Sequence, residues 1–216
     1  MTLRAAILST GDELTTGRIA DTNASWIADK LFEMGVDVVA ILAVGDYPDR
    51  LAWAWRKAMA QADVVISTGG IGPTADDLTN ETVAEVLGVP LVLDQPSVDR
   101  VRAFFTSRGI DMPENNVKQA RFPAGATIVT NSFGTAPGYR ATQGGKHVVI
   151  LPGVPREAKK ARMRSTDGWC SSSGTPSTSA TVSVVRSSMV GPMPPVEMTT
   201  SASAIAFRHA HASRSG

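Results

Sequence analysis

Apolar positions along residues 3–155 come in short continuous runs separated by longer stretches with helical spacing. The runs are Ala5-Ala6-Ile7-Leu8, Val36 to Val44, Val64-Val65-Ile66, Ile128-Val129 and Val148-Val149-Ile150-Leu151. Continuous rather than alternating runs suit parallel strands covered on both faces. Between them, Ala24, Ile27, Ala28, Leu31 and Phe32 make one stripe at i, i+3, i+4, i+7, i+8, the spacing of one helix face. Leu51, Ala54, Trp55, Ala58, Met59 and Ala62 make a second stripe. Val83, Val86 and Leu87 make a third, ended by Gly88 and Pro90, and Val98, Val101 and Phe105 a fourth, ended by Gly109. Gly35 stops the first of these helices. The alternation predicts an α/β fold of three layers, a mostly parallel sheet with helices on both faces and right-handed crossovers.

The pattern fails near residue 163. Residues 164–216 hold 13 serines, many Thr, Gly and Pro, the single cysteine Cys170 and two of the three histidines. Such a segment cannot bury enough apolar surface to offset its ordering entropy. Two readings stand: a disordered tail, or a reading frame altered near residues 158–165. The spacing of His209, His211 and Cys170 fits no zinc pattern. The predicted division is therefore a domain over 1–163 and an atypical tail over 164–216.

Charge sharpens the picture. The net charge is +1, yet residues 1–155 carry 13 Lys/Arg against 17 Asp/Glu. A mildly acidic body argues against a nucleic-acid surface. No run of 18 apolar residues predicts a membrane span. The lone cysteine allows no internal disulfide, and a strand-like run beginning by Arg4 leaves no room for a signal peptide. The expectation is a soluble cytoplasmic protein without nucleic-acid or membrane partners.

The chemistry concentrates in Ser67-Thr68-Gly69-Gly70-Ile71-Gly72-Pro73-Thr74-Ala75-Asp76-Asp77-Leu78-Thr79. A strand ending in a glycine cluster and opening a helix is a phosphate or nucleotide cradle, because glycines let backbone N–H groups approach an anion. Carboxylates beside such a loop point to a divalent cation between them and the anion. The loop ends in neither the Lys-Ser/Thr of a Walker loop nor the spacing G-x-G-x-x-G. The residues alone thus reach metal-assisted chemistry on a phosphate-bearing ligand.

Seven ordered segments carry a resemblance. They are Ser9 to Leu14 with Gly17-Arg18; Asp21-Thr22-Asn23; Val44-Gly45-Asp46; Gly69 to Thr79; Pro113 to Asn116 with Lys118-Gln119-Ala120; Asn131 with Gly134 to Gly138; and Leu151 to Glu157. Over about residues 3–163 the chain resembles the CinA family (competence/damage-inducible protein A), in its N-terminal molybdopterin-binding-like domain. The resemblance implies a molybdopterin-binding-like fold and divalent-metal-dependent (Mg, Mn or Co) hydrolysis of ADP-ribose to AMP and ribose 5-phosphate. Its fold relatives bind and adenylate molybdopterin, which gives a second reading, and form homo-oligomers. A third is a fragment without activity, since the chain departs from the family near Ala161. Many members also carry a separate domain that deamidates nicotinamide mononucleotide, an activity not expected of these 216 residues.

Asp77 is the first candidate for catalysis, since the resemblance places the catalytic acid before the Leu-Thr pair; Asp77 or Thr79 would equally fit as a helix N-cap. Asp46, which follows the second strand, is the second candidate, with capping of the helix after Pro48 as the plain alternative. Both lie beyond the carboxyl ends of strands, where open α/β sheets bind ligands. Glu13 and Asp76 complete the candidate metal ligands. Candidate ligand contacts are Thr10, Gly11, Asn23, Thr68, Gly69, Gly70, Gly72, Pro73 and Thr74. A second loop adds Asn131, Gly134 and Thr135; a third adds Pro152 and Gly153, with Glu157 beside it. Lys118 or Arg121 could pair with a phosphate or lie on a solvated face. The expected partner is a small nucleotide or pterin.

Overall fold

The structure, a computed structural model, describes residues 2–158 and 162–163. Strand β1 (Arg4–Thr10) leads through the short helix α1 (Asp12–Thr15) and α2 (Thr22–Glu33) to β2 (Asp37–Val44). Helix α3 (Pro48–Gln61), β3 (Val64–Thr68) and α4 (Thr79–Leu87) follow. Then come β4 (Leu91–Leu93), α5 (Gln95–Thr106), a 3-10 turn over Glu114–Ala120, and β5 (Arg121–Pro123). The chain closes through β6 (Thr127–Thr130), β7 (Gly138–Gln143), β8 (Lys146–Leu151), α6 (Pro155–Ala158) and β9 (Arg162–Met163). The predicted tail, 164–216, lies outside the described residues.

One seven-stranded sheet runs β2-β1-β3-β8-β7-β6-β9, and β4 pairs with β5 apart from it. The first four strands are mutually parallel, whereas β7, β6 and β9 are antiparallel additions. Side chains of the central strands alternate between two apolar layers. Ala6, Leu8, Val65, Val148 and Ile150 pack with Leu51, Ala54, Trp55 and Ala58 of α3 and Val83 and Leu87 of α4. Ala5, Ile7, Val64, Ile66, Val149 and Leu151 pack with Ala24, Ile27 and Leu31 of α2 and Ala158 of α6. The three-layer, largely parallel reading holds in the parallel half. Phe32 corrects the first predicted stripe: it is 80% exposed, while Ala24, Ile27 and Leu31 are buried and Trp26 and Ala28 pack partly buried beside them.

The strand order reverses between β1 and β3, since the chain first adds β2 on one side and later β3 on the other. This is the switch point at which an open sheet forms a crevice. Among the described residues no helix is long and apolar enough to cross a membrane.

Candidate functional site

At the carboxyl edge of the parallel strands lies a pocket of about 780 Å³. Thr10 and Gly11 enter it from the end of β1, Thr68 to Gly72 from β3, Asp46 from beyond β2, and Pro152 and Gly153 from β8. Of the predicted residues, Glu13, Asn23, Thr74, Asp76, Asp77, Gly134 and Thr135 line it too. Pro73 and Asn131 do not.

The glycine loop is shaped by its own backbone. Gly69 and Gly70 have φ of 97° and 66°, a left-handed conformation that side chains disfavour. The buried Thr79 ties the loop to α4: its hydroxyl donates to the Gly69 carbonyl at 3.0 Å and its N–H to the Gly70 carbonyl at 3.0 Å. Neither capping alternative survives. The N-cap position of α4 is Leu78, with no side-chain cap. Asp77 instead turns back on its own loop, accepting from the Thr74 N–H at 2.9 Å and the Thr74 hydroxyl at 2.5 Å. Thr74 is thereby committed to Asp77 rather than free for a phosphate.

Asp46 does not cap α3 either; that position is Tyr47, without a side-chain bond. Asp46 and Asp12 exchange backbone bonds, each carboxylate accepting the other's N–H at 3.3 Å. Asp46 titrates above the ordinary carboxylate range. Burial is the main cause, the Asp12 N–H opposes it, and the negative charges of Asp12, Glu13 and Asp77 add to it. These acids therefore share one field.

Four acidic side chains lie over glycines. A Cβ at Gly11 would fall 2.6 Å from the Glu13 carboxylate and one at Gly72 2.5 Å from that of Asp77. A Cβ at Gly45 would overlap Asp12, and one at Gly134 would overlap Glu157. The glycines thus make room for carboxylates as much as for ligand. Six acids line the pocket, Glu13, Asp21, Asp46, Asp76, Asp77 and Glu157, and no Lys, Arg or His does so among the described residues. No three His, Cys, Asp or Glu among the described residues are grouped closely enough to hold a metal ion by themselves. Glu13, Asp46, Asp76 and Asp77 thus share a pocket without forming a closed cage.

Three expectations change in kind. Asn23 neither caps α2, which Asp21 does by accepting from the Ala24 N–H at 2.9 Å, nor reaches outward; its amide donates to the Gly153 carbonyl at 2.6 Å. Asn131 is buried, and its side chain organises the second loop through bonds to Phe133, Gly134, Ala136 and Glu157. Lys118 donates to the Thr74 carbonyl at 3.0 Å and lies 3.5 Å from Glu81, bracing the glycine loop. Arg121 is an exposed residue of β5. Neither cation reaches the pocket lining.

The sequence reading missed Phe104, Gln119 and Phe133, which also line the pocket. Phe104 had a signal: it adjoins the buried stripe of α5 one position before Phe105. Gln119 lies in a segment that carries the family resemblance, in the 3-10 turn, whereas Phe133 sits in an irregular loop with no signal of its own.

Comparison with known proteins follows this geometry. The family model "Probable molybdopterin binding domain" matches residues 6–164. A CinA-like protein of Anaeromyxobacter sp. strain Fw109-5 is 49% identical over 157 residues, covering 73% of this chain and 38% of that protein. The crystal structure of the protein CinA from Thermoplasma acidophilum superposes with a TM-score of 0.68 at 36% identity, over 73% of this chain and 92% of that one. A tungsten cofactor synthesizing protein MoaB from Pyrococcus furiosus, 17% identical with a TM-score of 0.50 over 87% of this chain and 92% of its own, shares the fold. The chain spans well under half of the CinA-like relative's length.

Proposed function

The chain belongs to the CinA family of molybdopterin-binding-like domains, and from that premise we propose that its pocket cleaves the pyrophosphate of ADP-ribose or a related nucleotide with a divalent metal. The observation that carries this reading is the lining: glycine loops at a switch point, six carboxylates and, among the described residues, no cation. An anionic ligand entering such a field needs compensation from a cation. Mg²⁺ suits the donor set, since it binds through one or two carboxylates plus substrate phosphates and needs no all-protein cage. Asp77 and Asp46 would hold it, with Glu13 and Asp76 alongside. A divalent ion there supplies charge neutralisation on the phosphates and a lowered pKa for the attacking water.

The chain's own residues do the rest. Gly69 and Gly70 keep backbone close to the ligand. The Thr74 latch fixes the Asp77 carboxylate, and Thr79 fixes the loop that bears it. The test is chromatography of products after incubation with ADP-ribose and Mg²⁺, Mn²⁺ or Co²⁺. Metal-dependent AMP release that Asp77→Asn abolishes supports the reading; no release from folded protein sinks it.

A second reading, molybdopterin binding or adenylyl transfer, is favoured by the description of the matching family. Its discriminator is pterin bound without hydrolysis of ADP-ribose.

A further inference from the structure

The glycine loop between β3 and α4 is tied at its start by Thr79, and its middle is held from a distant part of the chain. The holding element is the 3-10 turn over Glu114–Ala120. Lys118 Nζ donates to the Thr74 carbonyl at 3.0 Å, and Asn115 Nδ2 donates to the Pro73 carbonyl at 3.4 Å. The same ammonium lies 3.5 Å from Glu81 Oε1 in the first turn of α4. One cation thus ties together the turn, the loop and the helix that follows the loop. The other oxygen of Glu81 is buried without a hydrogen-bond partner among the described residues, so Lys118 is the charge that compensates this carboxylate.

What Lys118 holds is the residue that holds Asp77. The Thr74 N–H and hydroxyl both donate to Asp77 Oδ2, at 2.9 and 2.5 Å. The Thr74 carbonyl accepts the Asp77 N–H at 3.3 Å as well as the Lys118 ammonium. Every polar group of Thr74 is therefore bonded, and three of its four bonds go to Asp77. Those three are local to one turn of chain. They fix Asp77 relative to Thr74, but not the pair relative to the sheet. The bond from Lys118 supplies that second constraint, and it is charge-assisted and hence among the stronger kinds. Lys118 is not among the residues that line the pocket, so its influence on the pocket runs through Thr74.

We infer that Lys118 is a positioning residue for Asp77: it anchors the Thr74–Asp77 unit so that the carboxylate stays aimed at the pocket, and it thereby sets the rate of the chemical step. The inference rests on the pyrophosphatase reading and names what keeps its first carboxylate in place. A displacement of about 1 Å at a reacting group costs on the order of 10²-fold in rate. A residue that only bound ligand would act on KM and leave kcat alone.

The test is steady-state release of AMP from ADP-ribose with Mg²⁺ by the full chain, by Lys118→Met and by Arg56→Met. Lys118→Met should lower kcat roughly 10–100-fold and leave KM within about twofold. Arg56→Met removes a different cation paired with α4, at Glu85 Oε1 2.7 Å away on the surface, and should leave kcat unchanged. Hydrogen exchange gives the second readout. In Lys118→Met the amides of residues 74–77 should exchange on the order of tenfold faster, as for one lost charge-assisted bond, with β1 and β3 unaffected. An unchanged kcat, unchanged exchange in the loop, or an equal fall in Arg56→Met overturns the inference. A KM raised about tenfold makes Lys118 a ligand contact and overturns it too. All of these leave the pyrophosphatase reading standing, because the unmutated chain still releases AMP. No release by the folded, unmutated chain sinks that reading and this inference with it. Should Lys118→Met fail to fold, Lys118→Gln, uncharged and one bond shorter, carries the same expectations.

Discussion

The two edges of the parallel sheet handle carboxylates in opposite ways. At the amino edge, Asp63 precedes β3 and sits among cations: Arg4 donates its N–H at 3.0 Å and places its guanidinium 3.6 Å away, and Lys146 lies at 3.7 Å. Its carboxyl is held below the ordinary range, first by the Arg4 N–H and then by these charges, against a desolvation that pushes the other way. At the carboxyl edge, Asp46 is pushed up, first by burial and then by the like charges of Asp12, Glu13 and Asp77, against the Asp12 N–H. One fold thus solves a stability problem at one edge and leaves it open at the other. Acids gathered without compensation are more economically explained by a ligand than by folding.

The largest break of this contrast is functional. Asp77→Asn keeps an acceptor for Thr74, so thermal unfolding should barely move, while AMP release from ADP-ribose should fall roughly 10²–10³-fold, as when a preorganised electrostatic group is removed. Retained turnover would detach the carboxyl edge from chemistry. Next comes Asn131→Ala, which strands two backbone N–H groups and the Glu157 carboxylate. Urea unfolding should show a loss of about 2–4 kcal/mol, the range for several buried groups left unsatisfied. A loss below about 1 kcal/mol would mean that the 133–136 loop holds itself.

The ease of reading the two edges from sequence also differs, and for a physical reason. Strands β1, β3 and β8 and helices α2 to α5 announce themselves because burial demands continuous apolar runs and helical stripes; β2 carries such a run too, although it lies at the sheet edge with Val39 and Ile41 exposed, which corrects the expectation of cover on both faces. Strand β7, Gly-Tyr-Arg-Ala-Thr-Gln, does not, since its outer half is exposed and polar. Its signal was the turn instead: Gly144-Gly145, both at positive φ, joins Gln143 to its partner Lys146 in a two-residue hairpin, the connection glycine pairs favour. At the site, the Thr74–Asp77 latch spans three residues, so an acid near a glycine loop marks it locally. The Asn131–Glu157 tie spans 26 residues, and Arg100 reaches its carbonyls from 31 and 35 residues away. Linear spacing carries no trace of such partners, and Asn131 therefore reads as a ligand contact when its role is to hold the loop.

Asp46→Asn sharpens the contrast in sign. Metal-free at pH 7, the change removes a charge that burial and three like charges disfavour, and an amide oxygen can still accept the Asp12 N–H. Chemical denaturation should show stability unchanged or raised by up to about 1 kcal/mol, the scale of one modest electrostatic contact. A clear loss would mean that the acids at this edge support the fold after all.

Asp63→Asn should do the reverse, by the smallest amount. The Asp63 side chain is 34% exposed, so solvent screens its partners and the loss at neutral pH should be about 0.5 kcal/mol. The pH dependence separates this from a packing effect. A carboxyl held below its unfolded value contributes stability that is fully present above the ordinary value of 3.8 and disappears as pH falls through the lower folded value. Urea midpoints of the two proteins should differ by a constant amount from pH 7 to pH 5 and converge below pH 3.8. A gap that persists in acid would trace the loss to packing or backbone geometry, and the amino edge would then owe nothing to its ion pairs.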